Sequence, residues 1–145
     1  MYQKKMTVVL KSFQIRTNSY CDVVDITQQV QNAVIKSGIK DGLVNVHVAG
    51  STGAISTTEY EPGLVKQDIE NFLEKIIPYN KNYAHHKTWH DHNGAGHLRS
   101  FLLKTSQTYP FQKAKLILGS WQQIIFIECD EKSRSRTIYV QILGE

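Results

Sequence analysis

The order of strand-like and helix-like patterns is the feature that most limits the fold of this chain. Runs rich in β-branched and aromatic residues lie near both ends, and two longer segments show helical spacing of apolar residues. The first helix is predicted between Asp25 and Gly38, and the second between Leu64 and Pro78. Because strands and helices do not alternate regularly, a parallel doubly wound sheet is disfavoured. We predict one domain over residues 1–145, of class α+β, with a largely antiparallel, sandwich-like sheet and two to three packed helices.

Details of the pattern lead to further expectations. Seven strands are predicted, at 4–13, 43–48, 54–58, 109–111, 115–118, 124–129 and 136–143. Residues 130–135 are expected to form a charged hairpin turn between the last two strands. Pro110 predicts an edge strand, because proline cannot donate to a central ladder. The apolar stripe of the second helix, which includes Phe72 and Ile76, is expected to lie on a sheet.

A histidine-rich segment follows the second helix directly. Five of the six histidines lie between residues 83 and 97, together with Asp91 and Asn93. Imidazole and carboxylate groups bind divalent metals, and histidine also titrates near neutral pH. The spacing matches no standard zinc motif, so the alternative is a solvated polar loop. Residues 94–96 are expected at the N-terminus of a short helix, which favours an anion.

The stretch Gly50-Ser51-Thr52-Gly53 is a second candidate for ligand binding. Its hydroxyl groups and backbone amides are suited to a phosphate or a carboxylate, and the alternative is a simple connector between two strands. Glu59 follows near the end of the next predicted strand, on the same side as Glu61.

Composition limits the partners and the cellular setting. The 145 residues carry a formal net charge of +4, but lysines and arginines are scattered, so no nucleic-acid partner is expected. No apolar run approaches the roughly 20 residues of a membrane span, so no membrane partner is expected. The two cysteines, Cys21 and Cys129, lie far apart in sequence, which favours buried thiols in a reducing compartment. We therefore expect a cytoplasmic protein.

Several pieces, taken in order, resemble the YjbQ family, whose members are often named secondary thiamine-phosphate synthases. The pieces are residues 50–55 with Glu59, residues 82–85, residues 93–98, and Leu118-Gly119-Ser120-Trp121-Gln122-Gln123-Ile124 followed by Glu128, Asp130, Arg134 and Arg136. This resemblance covers essentially the whole chain, and the Gly-x-Trp-Gln-x-Ile signature is its most specific part. Three positions depart from the family pattern: Ser51 and Ser120 stand at positions usually held by His and Thr, and Ala114 at one usually held by Gly.

The resemblance implies a compact α+β sandwich that forms a homotrimer. It also implies pockets at subunit boundaries, lined by the histidine-rich segment and the Trp-Gln strand. The implied activity joins a thiazole phosphate to an aminopyrimidine diphosphate and releases diphosphate. The expected partner is thus a small phosphorylated molecule, and the expected cofactor is a divalent metal, Zn or Mg. A non-catalytic trimeric metal- or anion-binding protein and a metal-dependent hydrolase of small phosphorylated compounds are the alternatives.

Site residues follow from the resemblance and from residue chemistry. The expected metal ligands are His85, His90, His97 and Asp91, and the expected catalytic groups are His85, His97, Glu59 and Glu128. The expected substrate-binding residues are Ser51, Thr52, Asn93, Trp121, Gln122 and Arg136. Two alternatives stay open: Trp121 as a core aromatic residue, and Glu128 in a cross-strand ion pair with Arg136. His86 and His92 are expected to be exposed.

Overall fold

The strands form two antiparallel sheets. The computed structural model describes residues 5–145. The strands in this range are β1 Thr7–Arg16, β2 Asp22–Asp25, β3 Gly42–Val48, β4 Gly53–Glu59, β5 Ser106–Gln112, β6 Lys115–Leu116, β7 Gln122–Glu128 and β8 Ser135–Gly144. The larger sheet has the order β1-β8-β3-β5-β6, and the smaller sheet has the order β2-β7-β4. The prediction of an α+β fold with a largely antiparallel, sandwich-like arrangement of strands is confirmed.

The described residues contain four α-helices, more than the two to three predicted. They are α1 Thr27–Ser37, α2 Ile69–Ile76, α3 Ala84–Trp89 and α4 Gly94–Leu103, and a π-helical turn at Leu64–Asp68 leads into α2. Helix α1 ends as expected at Gly38, whose φ of 76° is left-handed. Helix α3 lies inside the histidine-rich segment, which the sequence presented only as a loop. None of the helices in residues 5–145 has the length and apolar content for a bilayer crossing.

The segment between β7 and β8 is not a hairpin turn. Strand β7 pairs with β2 and β4 in the smaller sheet, whereas β8 pairs with β1 and β3 in the larger one. Residues 130–135 therefore carry the chain from one sheet to the other. The prediction that these strands are adjacent was wrong, and any contact between Glu128 and Arg136 joins two sheets.

The smaller sheet is covered on both faces. One face adds Ile55, Ile124 and Phe126 to the core formed by the larger sheet and α1. The other face packs Ala54, Ile125 and Ile127 with Val65 and partly buried Ile69 on the helical side. Consecutive residues of β7 are therefore buried, as is typical of a strand covered on both sides.

Other details of the prediction need correction. Strand β5, which carries Pro110, lies between β3 and β6 and is not an edge strand. Strand β1 extends to Arg16, and the predicted start at residue 4 lies outside the described residues. In the stripe of the second helix, Leu73 is buried, but Phe72 and Ile76 are 59% and 46% exposed. The outer part of that stripe therefore faces away from the sheets.

Candidate functional site

Helix α4, which carries one end of the histidine-rich segment, packs closely on β4 and on Cys129, the residue that follows β7. A methyl group on Gly96 would collide with the carbonyl oxygen of Cys129 and lie 2.9 Å from the hydroxyl oxygen of Tyr79. Only a glycine therefore allows α4 to approach this closely. The chain turns between α3 and α4 at His90, which has a left-handed φ of 56°. The rings of His85 and His97 consequently meet, with 4.6 Å between their centroids.

Three ligand-type atoms converge at His85. Its Nε2 lies 3.1 Å from Oδ1 of Asn93 and 3.3 Å from Oδ1 of Asp91. The Asp91 oxygen is buried, yet no hydrogen bond within the described part of the chain reaches it. Because an unpaired buried carboxylate oxygen is costly, this atom is suited to a bound cation.

The residues therefore fit a divalent metal in donor chemistry. Imidazole nitrogen and carboxylate oxygen are ligands for Zn²⁺, and carboxylate oxygen also suits Mg²⁺. Within residues 5–145, however, no three His, Cys, Asp or Glu side chains already surround a common point as a metal-binding group. The divalent metal accordingly stays a prediction.

The other histidines contribute no atom to this convergence, although the ring of His86 meets that of His85 edge-on, with 6.5 Å between the centroids. Nε2 of His86 accepts a hydrogen bond from the backbone N–H of Gly94 at 3.1 Å, which joins α3 to the start of α4. His92 packs edge-on against His86, with 5.3 Å between the ring centroids. His90, a predicted ligand, is exposed and makes no ring contact with another histidine in the described range.

A cavity of about 350 Å³ opens beside His97. Its walls include Ser51 from the segment that precedes β4, and Phe101, Lys104 and Thr105 from the end of α4. The structure thus brings the predicted substrate residue Ser51 to the same cavity as the predicted catalytic residue His97. The volume is in the range of small-molecule pockets.

Glu128 and Arg136 form a buried ion pair between the two sheets. Glu128 is fully buried, and its Oε2 accepts hydrogen bonds from Nε of Arg136 at 2.8 Å and from the hydroxyl of Thr17 at 2.7 Å. Its Oε1 accepts hydrogen bonds from Nη2 of Arg136 and, at 3.0 Å, from the backbone N–H of Asp130. Burial lowers the pKa of Arg136, but the contact with Glu128 outweighs it and raises the pKa above the usual value.

A second acidic group extends this network to the loop before β4. Oδ2 of Asp130 accepts hydrogen bonds from Arg134 at 2.7 and 2.9 Å and from the hydroxyl of Thr52 at 3.2 Å. Arg136 also donates to the Thr52 hydroxyl oxygen, at 3.0 Å. Burial raises the pKa of Asp130, but the hydrogen bond and charge of Arg134 lower it below the usual value. Thr52 is thus a structural contact of this network.

The predicted residues Glu59, Trp121 and Gln122 lie at the opposite end of the smaller sheet. Gly53 is paired with Glu128 at one end of β4, and Glu59 is paired with Gln122 at the other. At roughly 3.3 Å per residue, these ends are about 20 Å apart. Trp121 is 74% exposed and is not a core residue. A single chain therefore does not bring these three residues to the histidine cluster.

Sequence reasoning missed Arg99, which holds the histidine-rich segment in place. This arginine of α4 is fully buried and donates from Nε and Nη2 to the carbonyl oxygen of Ile77 at 3.1 and 2.9 Å. Its Nη2 also contacts Glu74 at 2.6 Å, and its guanidinium lies 4.8 Å from the ring centroid of Tyr79. Nothing in its local sequence distinguishes it from an exposed arginine.

Comparison with known sequences identifies relatives along most of the chain. The family described as UPF0047 protein YjbQ-like matches residues 11–145. A UPF0047 protein of Methanocaldococcus jannaschii is 38% identical over 137 residues, which are 94% of this chain and 96% of the relative. The UPF0047 protein YugU of Bacillus subtilis is 30% identical over 136 residues, which are 94% of this chain and 100% of the relative.

Solved structures agree with the sequence comparison. A YbjQ-like protein of unknown function from Sulfolobus solfataricus superposes with a TM-score of 0.89 at 35% identity, covering 97% of this chain and 100% of that one. A hypothetical protein from Aeropyrum pernix superposes with a TM-score of 0.86 at 31% identity, covering 94% and 99% of the two chains. Family, length and fold agree, and the chain belongs to the YjbQ-like UPF0047 family, a family of unknown function.

Proposed function

We propose that this protein is a metal-assisted transferase for small phosphorylated molecules, similar to secondary thiamine-phosphate synthases. It would join a thiazole phosphate to an aminopyrimidine diphosphate and release diphosphate. The observation that carries the proposal is the convergence of His85 Nε2 with the buried Asp91 Oδ1, which accepts no hydrogen bond in the described range, next to the cavity at His97. A site with a divalent metal and a phosphate pocket suits a reaction in which charge builds on a leaving diphosphate.

The proposed metal ligands are His85, Asp91 and His97. The metal, Zn²⁺ or Mg²⁺, would supply positive charge next to the diphosphate. Oδ1 of Asn93 lies 3.1 Å from the same Nε2 of His85, so the Asn93 side chain would be a polar neighbour of the metal. The cavity beside His97 would accept the phosphorylated part of the substrate.

The buried network changes the roles proposed for two residues. Glu128 already accepts four hydrogen bonds and has no spare capacity for a ligand, and Arg136 is paired with it through Nε and Nη2. Arg136 also bonds Thr52, and its Nη1 lies 3.3 Å from the position of a methyl group on Gly50. We infer that both residues position the loop at 50–52, which forms one wall of the cavity.

A homotrimer would complete the site. Trp121 is a large, flat, exposed ring about 20 Å along the sheet from the end that holds Glu128, so within one chain it is far from the cavity. A neighbouring subunit would bring its own Trp121 ring and Gln122 amide to the pyrimidine. Exposed Phe72, beside an apolar cavity of about 350 Å³, is a further candidate for subunit contact.

Three measurements on one set of variants test the proposal. Wild type, Asp91→Ala and His90→Ala are purified, and bound metal, oligomer mass and turnover of the two proposed substrates are recorded for each. His90→Ala is the matched control, because it removes a histidine from the same segment but outside the convergence. We expect wild type and His90→Ala to carry metal, to form trimers and to release diphosphate. We expect Asp91→Ala to stay trimeric and to lose metal and turnover.

Different results would contradict different parts of the proposal. Equal metal content in all three proteins would exclude Asp91 as a ligand, and loss of metal in His90→Ala would add His90 to the ligand set. Metal binding without any release of diphosphate would favour a non-catalytic metal-binding protein. A monomeric wild type would exclude the shared site.

A further inference from the structure

The backbone at Lys104 has a conformation that only glycine adopts readily. Helix α4 ends at Leu103, and Lys104 follows with φ 75° and ψ 149°. This region is essentially reserved for glycine, and other residues found there cluster at functional sites. Two hydrogen bonds fix the position: the Lys104 N–H donates to Ser100 O at 2.9 Å, and its carbonyl oxygen accepts the N–H of Ile55 at 3.0 Å. The backbone conformation at position 104 therefore favours glycine, but the residue there is a lysine.

The side chain of Lys104 lies at the cavity beside His97. Its ammonium nitrogen is 4.9 Å from the ring centroid of Phe101, which also lines the cavity. No carboxylate of residues 5–145 forms an ion pair with Lys104. By contrast, the nearby guanidinium of Arg136 is paired with Glu128 behind the loop at 50–52. Lys104 is thus the uncompensated positive charge of this cavity.

We propose that Lys104 binds a phosphate group of the ligand in this cavity. The Ser51 and Thr105 side chains on the neighbouring walls would supply hydroxyl donors, and Phe101 would hold the lysine stem in place. The backbone strain at position 104 is then the cost of placing a cation opposite His97. This inference rests on the proposed phosphorylated substrate, and it adds a binding residue that the sequence analysis did not single out.

Binding of inorganic diphosphate in the presence of a chelator tests the inference. Calorimetry is carried out on wild type, Lys104→Met, which loses the charge and keeps the strain, and Lys104→Gly, which loses both. We expect both variants to bind diphosphate at least about tenfold more weakly than wild type. We expect the midpoint of thermal unfolding to rise by roughly 2–6 °C in Lys104→Gly and to stay unchanged in Lys104→Met, because only glycine relieves the strain.

Lys113→Gly is the matched control. Lys113 also has a positive φ, 53°, but it lies in the turn between β5 and β6, among residues that do not line the cavity. This variant loses one positive charge and one strained residue, so its unfolding midpoint should rise while its diphosphate affinity stays within about twofold of wild type. Loss of affinity in this control would indicate a general charge effect and overturn the assignment.

Two other results would overturn it as well: no diphosphate binding by wild type, or wild-type affinity in Lys104→Met. The chelator separates this inference from the proposed function. Failure of metal binding or turnover leaves the phosphate measurement unaffected, and loss of the Lys104 effect leaves the metal measurements unaffected.

Discussion

The carboxylate of Glu128, at the centre of the ion-pair network between the sheets, and that of Asp91, in the histidine cluster, differ in how completely they are hydrogen-bonded. In the network, both oxygens of Glu128 are buried and each accepts two hydrogen bonds. In the cluster, His85 is only partly buried, and Oδ1 of Asp91 is buried without a hydrogen bond from any residue in 5–145. Oδ1 of Asp130, at the edge of the network, is also buried without a hydrogen bond in this range, so the contrast holds between the Glu128 and Asp91 carboxylates.

This difference separates a structural role from a binding role. A buried charge that has all its partners fixes the relative position of the strands around it and has no capacity for a ligand. A partly exposed group with an unpaired oxygen gains when a cation arrives. The family resemblance placed Glu128 and Arg136 with the histidines as site residues. Their hydrogen bonds instead assign Glu128 and Arg136 to the structural network and leave the histidines as the candidate binding site.

Removal of the network should have the largest effect. Glu128→Ala leaves Arg136 buried without its partner, so we expect the free energy of unfolding to fall by about 3–5 kcal/mol. Chemical denaturation measures this loss. Glu59→Ala removes an exposed glutamate from the other end of the same sheet and should change stability by less than about 0.5 kcal/mol. Equal losses in the two variants would contradict the structural role assigned to the Glu128 ion pair.

Asn93→Ala tests the cluster without removing a proposed ligand. Its Oδ1 lies 3.1 Å from the Nε2 of His85 that faces Asp91, so loss of this polar neighbour should weaken metal binding by about 10–100-fold. The free energy of unfolding in the absence of metal should fall by no more than about 1 kcal/mol, because the cluster is partly exposed. Metal titration and denaturation give the two values, with exposed Asn80→Ala as the control. A large loss of stability with unchanged metal affinity would mean that Asn93 stabilises the fold and does not support metal binding.

Acid should destabilise the protein through Asp130. The pKa of this carboxyl is lower in the folded chain than usual, so its contribution is complete above the ordinary aspartate pKa of about 3.9. That contribution is lost as the pH falls through the lower folded pKa. Thermal unfolding of wild type below about pH 4 should therefore show a steeper loss than Asp130→Asn. If the unfolding midpoints of the two proteins fall equally with pH, ionised Asp130 does not contribute to the stability of the folded chain.

The smallest effect is expected at the two cysteines. Burial raises the pKa of Cys21 to about 11 and that of Cys129 to about 12, so little thiolate is present near neutral pH. A thiol reagent at pH 8 should react slowly with the folded protein and modify both cysteines rapidly after denaturation. Fast reaction of the folded protein would show that this side of β7 opens readily.

The sequence predicted the fold class better than the connections. Strand β8 alternates buried and exposed residues and was correctly placed, and β7 was also found near its true limits. Their assignment to one hairpin failed because a charged stretch of six residues fits either a turn or a crossing between sheets. A usable signal was present: residues 124–127 are all apolar, which indicates a strand covered on both faces.

The sequence located the histidine cluster of the candidate site, but it did not predict the roles of the individual residues as well. The concentration of histidines with Asp91 and Asn93 located the cluster, because these side chains carry recognisable chemistry. The roles of Glu128, Thr52 and Arg136 depend on burial and on contacts across two sheets, which spacing does not encode. Lys104 was missed because a backbone torsion angle is invisible in a single sequence when the residue is not a glycine.

Both tryptophans of the chain are on its surface, since Trp89 is 71% exposed and Trp121 is 74% exposed. The indole emission of a folded single chain should therefore already resemble that of a tryptophan in water. Melting of the core would scarcely change it, and a fluorimeter would report loss of secondary structure poorly. A shift of that emission to shorter wavelength on raising the protein concentration would instead report that subunits had come together around an indole ring.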